Sequence, residues 1–292
     1  MKSRSNEPDP TGRLNLLVAY PYLDRKIVDF VADHEDEIRL LIDSGAFTAW
    51  KSGKPIRLQH YQKFLSELPF SPFRYFTLDV IGDEKATAGN YETMRRCGFS
   101  PVPIFTRGAD PASIDGYFET SDLVGIGGLV GTNDAKGYVN GIMKSVGDRR
   151  VHWLGFNALP FIARHRPYSC DSSTWSESVR FGKINVYLGA GKWKKVHRRD
   201  FDSRPPADVM RAIASFGIDP LRFRYADEWK NSSRNRNAVE LVGYRSWMKY
   251  QVELGDRFGT MFFVACNAVE QVEGMLAAWR ITKKKETRNA AT

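Results

Sequence analysis

Leu41 to Trp50 reads LIDSGAFTAW, an apolar run that ends in Asp43 and breaks at once into Ser44, Gly45 and Ala46. A strand that delivers a carboxylate to its own C-terminal edge, followed by a turn of small residues, is how parallel barrels and doubly wound sheets present reacting groups. The construction recurs. Phe73 to Val80, FRYFTLDV, ends in Asp79 ahead of Ile81-Gly82-Asp83, and Tyr168 to Trp175, YSCDSSTW, carries Asp171 ahead of a hydroxyl-rich turn. Three aspartates are thereby expected at three strand ends.

Outward from these stretches, apolar runs alternate with segments of helical spacing. Strands are expected at Leu14 to Ala19, Ile38 to Asp43, Phe73 to Asp79, Val102 to Phe105, Leu123 to Ile126, Arg150 to Gly155 and the run before Asp171, with Ile184 to Leu188 as an eighth. Helices are expected near Asp24 to Ala32, Leu58 to Leu68, Lys85 to Cys97, Pro111 to Phe118, Ala135 to Val146 and Leu159 to Arg164. Seven or eight such units predict an α/β protein with a (β/α)8 TIM-type barrel, a doubly wound sheet being the second choice. From Pro205 the pattern turns helical, over Ala207 to Phe216, Ala238 to Leu254 and Ala268 to Trp279. The stripe Val269, Val272, Leu276 and Trp279 reads as a core face. Met261 to Cys266, MFFVAC, is either a buried strand or the approach to the last helix. One domain over residues 14–282 is expected between a polar arm, 1–13, and a basic tail, 283–292, containing Lys283, Lys284, Lys285 and Arg288.

The 292 residues suffice for a large core, and the 13% aromatic content supplies filling or stacking surface. No secretory or membrane-spanning run is visible, so a cytoplasmic protein is expected. Cys97, Cys170 and Cys266 are far apart without metal-ligand spacing, which predicts reduced thiols and no zinc site. A net charge of +9 and a pI near 9.4 suit a polyanionic partner.

Three constellations bear on chemistry. Gly125 to Gly131, GIGGLVG, places Val130 where a dinucleotide fingerprint needs glycine, and no GK[ST] follows, so neither dinucleotide nor P-loop binding is indicated. Glycines there permit close approach to a flat ligand, or simply a tight loop. Asp43 and Asp171, at neighbouring strand mouths, suit divided labour on a glycosidic bond, although either aspartate alone is also a common helix cap, a role Ser44 or Ser172 can share. Gly182 to Arg199 packs Lys183, Lys192, Lys194, Lys195, Arg198 and Arg199 around Tyr187 and Trp193, a mixture that suits phosphates and stacked bases; a solvated charged hairpin is the plainer alternative. This patch is expected beside the mouth, since it directly follows Asp171.

IDSGAF at Ile42 to Phe47, LDVIGD at Leu78 to Asp83, PVPIFTRG at Pro101 to Gly108, GIGGLVG, HWLGF at His152 to Phe156 and CDSSTW at Cys170 to Trp175 occur in one order over about 130 residues. In these pieces the chain resembles the tRNA-guanine transglycosylase superfamily, and within it the short phage and bacterial DNA-guanine transglycosylases of the DpdA type. The resemblance implies a (β/α)8 barrel that exchanges guanine for a free 7-deazaguanine of the preQ0 or preQ1 kind by double displacement, without cofactor or required metal. It implies Asp171 as nucleophile, Asp43 as general acid/base, Asp79 as the carboxylate that grips the base, and Gly127 and Gly128 as the backbone that receives O6. Thr106-Arg107-Gly108 stands where relatives carry a base-contacting glutamine before glycine, so Arg107 is the expected base-side residue. The Cys₃His cluster of the tRNA enzymes has no counterpart in the sequence, which favours DNA as partner.

Three rivals remain on the sequence: a tRNA-guanine transglycosylase; a nucleic-acid-binding subunit without activity, serving an active partner; and a metal-dependent barrel hydrolase, for which no ligand cluster is visible. A homodimer or accessory proteins are compatible with all of these, and a membrane partner with none.

Overall fold

The computed structural model describes residues 9–129, 134–176, 182–203, 205–230 and 237–290. Two compact units result, one formed by 15–172 with 258–267, the other by 1–14, 173–257 and 268–292.

The first unit is a curled parallel sheet of eight strands in the order β3-β2-β1-β10-β7-β6-β5-β4. The strands are β1 (Leu14–Ala19), β2 (Ile38–Asp43), β3 (Arg74–Tyr75), β4 (Ile104–Phe105), β5 (Val124–Ile126), β6 (Val151–Trp153), β7 (Ser169–Ser172) and β10 (Met261–Cys266). Helices α1 (Arg25–Asp33), α2 (Ala46–Ser52), α3 (Leu58–Ser66), α4 (Glu84–Arg96), α5 (Ser113–Thr120), α6 (Ala135–Val146) and α7 (Leu159–His165) follow successive strands. LNLLVA, IRLLID and MFFVAC are almost wholly buried, as parallel strands covered on both faces must be. Asp24, Asp83 and Asp134 each cap a helix, accepting from the backbone of Ile27, Ala86 and Gly137 at 3.0, 2.9 and 2.9 Å. None of the three sequence-selected aspartates does so.

Parallel registers align Ile104 with Gly125, Gly125 with His152, His152 with Ser169, and Ser169 with Met261, which builds one layer across five strands. Gly125 leaves room within it: a Cβ there would stand 2.9 Å from the ring of Phe76. Leu17, Leu41, Phe76, Val102, Ile104, Met261 and Phe263 form one buried cluster. Since alternate residues of a strand share a face, Arg39, Leu41 and Asp43 fall on one side of β2, and Ser169 and Asp171 on one side of β7. Arg39 bonds Asn15 Oδ1 at 2.7 Å, at the end of β2 remote from Asp43. Beyond β3, Phe76 bridges in parallel to Val102.

Several expectations change. Ile184 to Leu188 is not the eighth strand of this sheet. It lies in β8 (Lys183–Gly189), which pairs antiparallel with β9 (Lys192–His197), and the eighth place is taken by β10 between β1 and β7. The continuous apolar run MFFVAC suits a strand buried on both faces, whereas the half-buried KINVYLG has a partner only a few residues away and closes at little entropic cost. Asp79 lies four residues past β3, and Asp171 lies within β7. β2 and β7 are not neighbours either, because β1 and β10 stand between them.

The second unit carries the β8–β9 hairpin, α8 (Arg198–Ser203), α9 (Ala207–Ser215), α10 (Ala238–Phe258) and α11 (Val269–Ala290). Ile184, Val186 and Val196 of the hairpin join Phe201, Val209, Ile213 and Phe223 in its core. The α11 stripe packs inward through Val272, Met275, Leu276 and Trp279. The N-terminal arm is tied down at its end: the carbonyl of Arg13 accepts from Gln251, and a Cβ on Gly255 would meet Thr11 at 2.5 Å. α11 continues through the expected basic tail as far as Ala290. Arg288 and Lys285 have side chains outside the described residues, as do Val130 and Gly131 of the glycine-rich run.

Candidate active site

Asp171 is held from one side. Its Oδ1 accepts the backbone N–H of Gly155 at 2.7 Å and stands 3.1 Å from Nε2 of His152. Oδ2 accepts nothing among the described residues, and the side chain keeps 11% exposure. His152 is fully buried, with Nδ1 2.8 Å from Ser169 Oγ and its ring packed 5.1 Å from Phe76. A carboxylate can only accept, so toward Asp171 the imidazole presents Nε2–H, and in a neutral ring Nδ1 then accepts the Ser169 hydroxyl hydrogen. Gly155 turns its N–H inward from φ +66°, just past the end of β6.

Asp43 and Asp79 form a second group. Asp43 Oδ2 accepts the N–H of Gly45 at 3.0 Å. Gly45 has φ +83°, and a Cβ there would lie 2.3 Å from Pro21 Cδ, so the turn after β2 requires glycine. Ser44, fully buried, donates its hydroxyl to Asp79 Oδ1 at 2.7 Å and does not cap α2. Burial pushes the Asp43 carboxyl from 3.8 up to about 7, with the Asp79 charge adding to the rise, the Gly45 N–H opposing it and the Asp171 charge adding less. Protein crowds this carboxyl although part of the residue's surface still meets solvent. Asp79 is also raised by burial, and the Ser44 bond pulls it back. The three carboxyls thus share one electrostatic site, with Asp79 acting on Asp43 more than Asp171 does.

No protein-family model, curated protein or solved structure matches this chain.

At β5, Gly127 gives its N–H to the Phe105 carbonyl at 2.9 Å, so that donor belongs to the sheet. Gly128, exposed at φ +71°, has its N–H in no hydrogen bond among the described residues. A Cβ on Gly128 would stand 2.5 Å from Arg107 Cβ, which fixes Arg107 as its close neighbour. The Arg107 guanidinium lies 5.3 Å over the ring of Tyr138.

The residues from Lys183 to Arg199 fold in the second unit. Trp193 packs at 4.8, 4.5 and 5.3 Å against Tyr187, Trp247 and Tyr250, and Tyr187 is fully buried. These rings serve the unit's own core. Lys194 is paired with Asp208 at 3.1 Å. Lys192, Lys195, Arg198 and Arg199 are exposed, and Lys183 is half-buried.

Sequence reasoning gave no site role to His152 and Gly155, which it quoted only within HWLGF, or to Ser169, and it read Ser44 as a helix cap. The signal for His152 and Ser169 was present: a histidine inside an apolar strand, and a serine two residues before Asp171 and therefore on its face.

Among the described residues no group of three or more His, Cys, Asp or Glu is placed to hold a metal ion, and no helix is long and apolar enough to cross a membrane.

Proposed function

We propose that this chain is a guanine transglycosylase acting on DNA, exchanging guanine for a 7-deazaguanine through a covalent intermediate on Asp171. Asp171 carries the reading: two donors fix one oxygen and leave the other without a partner among the described residues, the arrangement a carboxylate nucleophile needs. Closure of the curled sheet into a (β/α)8 barrel belongs to the same proposal. The Phe76–Val102 bridge supports it, with Thr77 N–H donating to Val102 O at 2.9 Å and Val102 N–H to Tyr75 O at 2.8 Å.

In the first displacement Oδ2 of Asp171 bonds to C1′ of the deoxyguanosine as the bond to N9 breaks, and guanine leaves with the proton of Asp43. A carboxyl raised to about 7 is suited to hold that proton near neutrality. In the second, Asp43 as carboxylate takes the N9 proton of the incoming base, N9 attacks C1′, and the ester to Asp171 breaks. Each step balances with no redox change. Asp79 accepts from the N1–H and N2–H₂ of guanine, a donor pair adenine lacks, and Gly128 N–H faces O6. The base must leave the stack to reach this site.

The deciding experiment offers duplex DNA and unmodified tRNA side by side with labelled guanine, or with a 7-deazaguanine, using Asp171→Ala as control. Label entering DNA and vanishing in the variant is the expected result. Label in tRNA alone moves the chain to that polymer, and exchange that survives in Asp171→Ala removes the nucleophile. Failure with every polymer and base leaves the reading of a binding subunit.

A further inference from the structure

Among the described residues of the sheet unit, the large apolar side chains left exposed are Tyr22, Phe47, Trp50, Val80 and Ile81. All five follow the C-terminal ends of β1, β2 and β3, which are neighbours in the sheet, on the edge that carries Asp43 and Asp79. Trp50 is the most exposed, at 61%, and Phe47 follows at 47%. Three residues apart on α2, their rings stack 6.0 Å apart at 30°, and Lys51 Nζ lies 4.5 Å from the Phe47 ring. The helix buries only Ala46, so packing does not account for its aromatics.

Along α2 and the segment after it the charge is one-sided, the acidic residues of this edge, Asp24, Asp79, Asp83 and Glu84, lying after β1 and β3. No acidic residue occurs from Ser44 to Ser66, and Lys51, Lys54 and Arg57 are exposed with no ion pair among the described residues. Aromatic faces beside cations that form no ion pair among the described residues match a strand of nucleic acid, since every base offers a π face and every link a phosphate. An anionic lipid surface needs a broader apolar face than two rings on a seven-residue helix.

We propose that α2 and the segment after it are a stacking platform for an unpaired nucleotide flanking the target. Trp50 takes the base, and Lys51, Lys54 and Arg57 take the phosphates. The inference rests on the nucleic-acid reading above. It gives the neighbour of an extruded guanine a replacement for its lost stacking partner.

The test is fluorescence anisotropy of a labelled short single-stranded oligodeoxynucleotide with the full chain, with Trp50→Ala, with Trp50→Phe and with Lys51→Ala/Lys54→Ala/Arg57→Ala. Trp50→Ala should weaken binding about tenfold at an unchanged salt slope, and Trp50→Phe should restore most of it. The triple variant should lower the slope of log K against log salt by about 2. Far-UV circular dichroism should be unaltered, the side chains being exposed. These effects with no base exchange would retain the platform and remove the transglycosylase. Exchange with oligonucleotide binding unchanged in Trp50→Ala and in the triple variant would do the reverse. The platform also falls if the wild type binds no oligonucleotide. It falls equally if Trp50→Ala spares oligonucleotide binding while releasing phosphatidylglycerol vesicles or splitting a dimer.

Discussion

Nε2 of His152 stands 3.1 Å from Oδ1 of Asp171, the oxygen that also accepts the backbone N–H of Gly155. Two donors on one oxygen orient the carboxylate, and in the proposed reaction they would direct the other oxygen to C1′. In that proposal His152 is a positioning residue, since its hydrogen-bond partners are Asp171 and Ser169.

His152→Leu should therefore lower kcat of base exchange by about tenfold to a hundredfold with KM nearly unchanged, the loss expected when a reacting group is misplaced. His152→Gln can place an amide N–H near the Nε2 position and should recover much of the rate. A purely structural role for the ring would make both variants equally poor in thermal stability and would move KM with kcat.

The raised carboxyl of Asp43 has a consequence for stability. Its folded pKa, about 7, lies above the ordinary 3.8, so between these values the folded chain binds more protons than the unfolded one, and stability falls as pH rises through the window. Above pH 7 the fold carries a buried charge whose penalty is on the order of 2 kcal/mol after allowance for partial solvent access. Asp43→Asn should accordingly be more stable than the wild type in denaturant unfolding at pH 8, with the difference vanishing near pH 4. The same variant should lose exchange, and wild-type exchange should decline above about pH 7 as the acid form is lost. Asp43→Asn no more stable than the wild type at pH 8 would remove the buried-charge argument.

Much of this was legible in the sequence because parallel strands write their burial as apolar runs. IRLLID and LNLLVA became strands over the residues expected, and the 3.6 period over Ala135 to Val146 became α6. What was missed has physical reasons. Strand order is a property of long-range pairing, so the choice between KINVYLG and MFFVAC for the eighth place depended on a partner distant in sequence. α2 is short and buries one residue, which leaves no periodic stripe to read. His152 and Ser169 face inward where an apolar residue would serve equally well for folding, and their value appears only once β6 and β7 are paired in register. Tyr187 and Trp193 looked like stacking surface because exposure cannot be read from residue type.

Ser44 and Asp79 should be coupled. The Ser44 hydroxyl, donated at 2.7 Å, opposes the rise that burial imposes on Asp79. Removing it in Ser44→Ala should raise the Asp79 carboxyl further and weaken the grip on guanine N1–H and N2–H₂, so KM for the base should rise severalfold with a smaller change in kcat. The defect should grow as pH is lowered, because more of Asp79 is then protonated and unable to accept from both donors. A defect independent of pH between 5 and 8 would separate Ser44 from Asp79 titration.

Gly128 and Gly98 allow backbone strain to be separated from site geometry. Both have positive φ, +71° and +85°, and both substitutions to alanine force a side chain into the left-handed region at about 1 kcal/mol each. Around Gly98 nothing lies within 4 Å of the added Cβ, whereas at Gly128 it would meet Arg107 Cβ at 2.5 Å. Gly98→Ala should thus lower stability by about 1 kcal/mol and leave exchange intact. Gly128→Ala should lose at least as much stability and also displace Arg107 and the N–H proposed to face O6, raising KM for the incoming base. Equal exchange by the two variants, measured alongside thermal unfolding, would detach Gly128 from the site and leave it a turn residue.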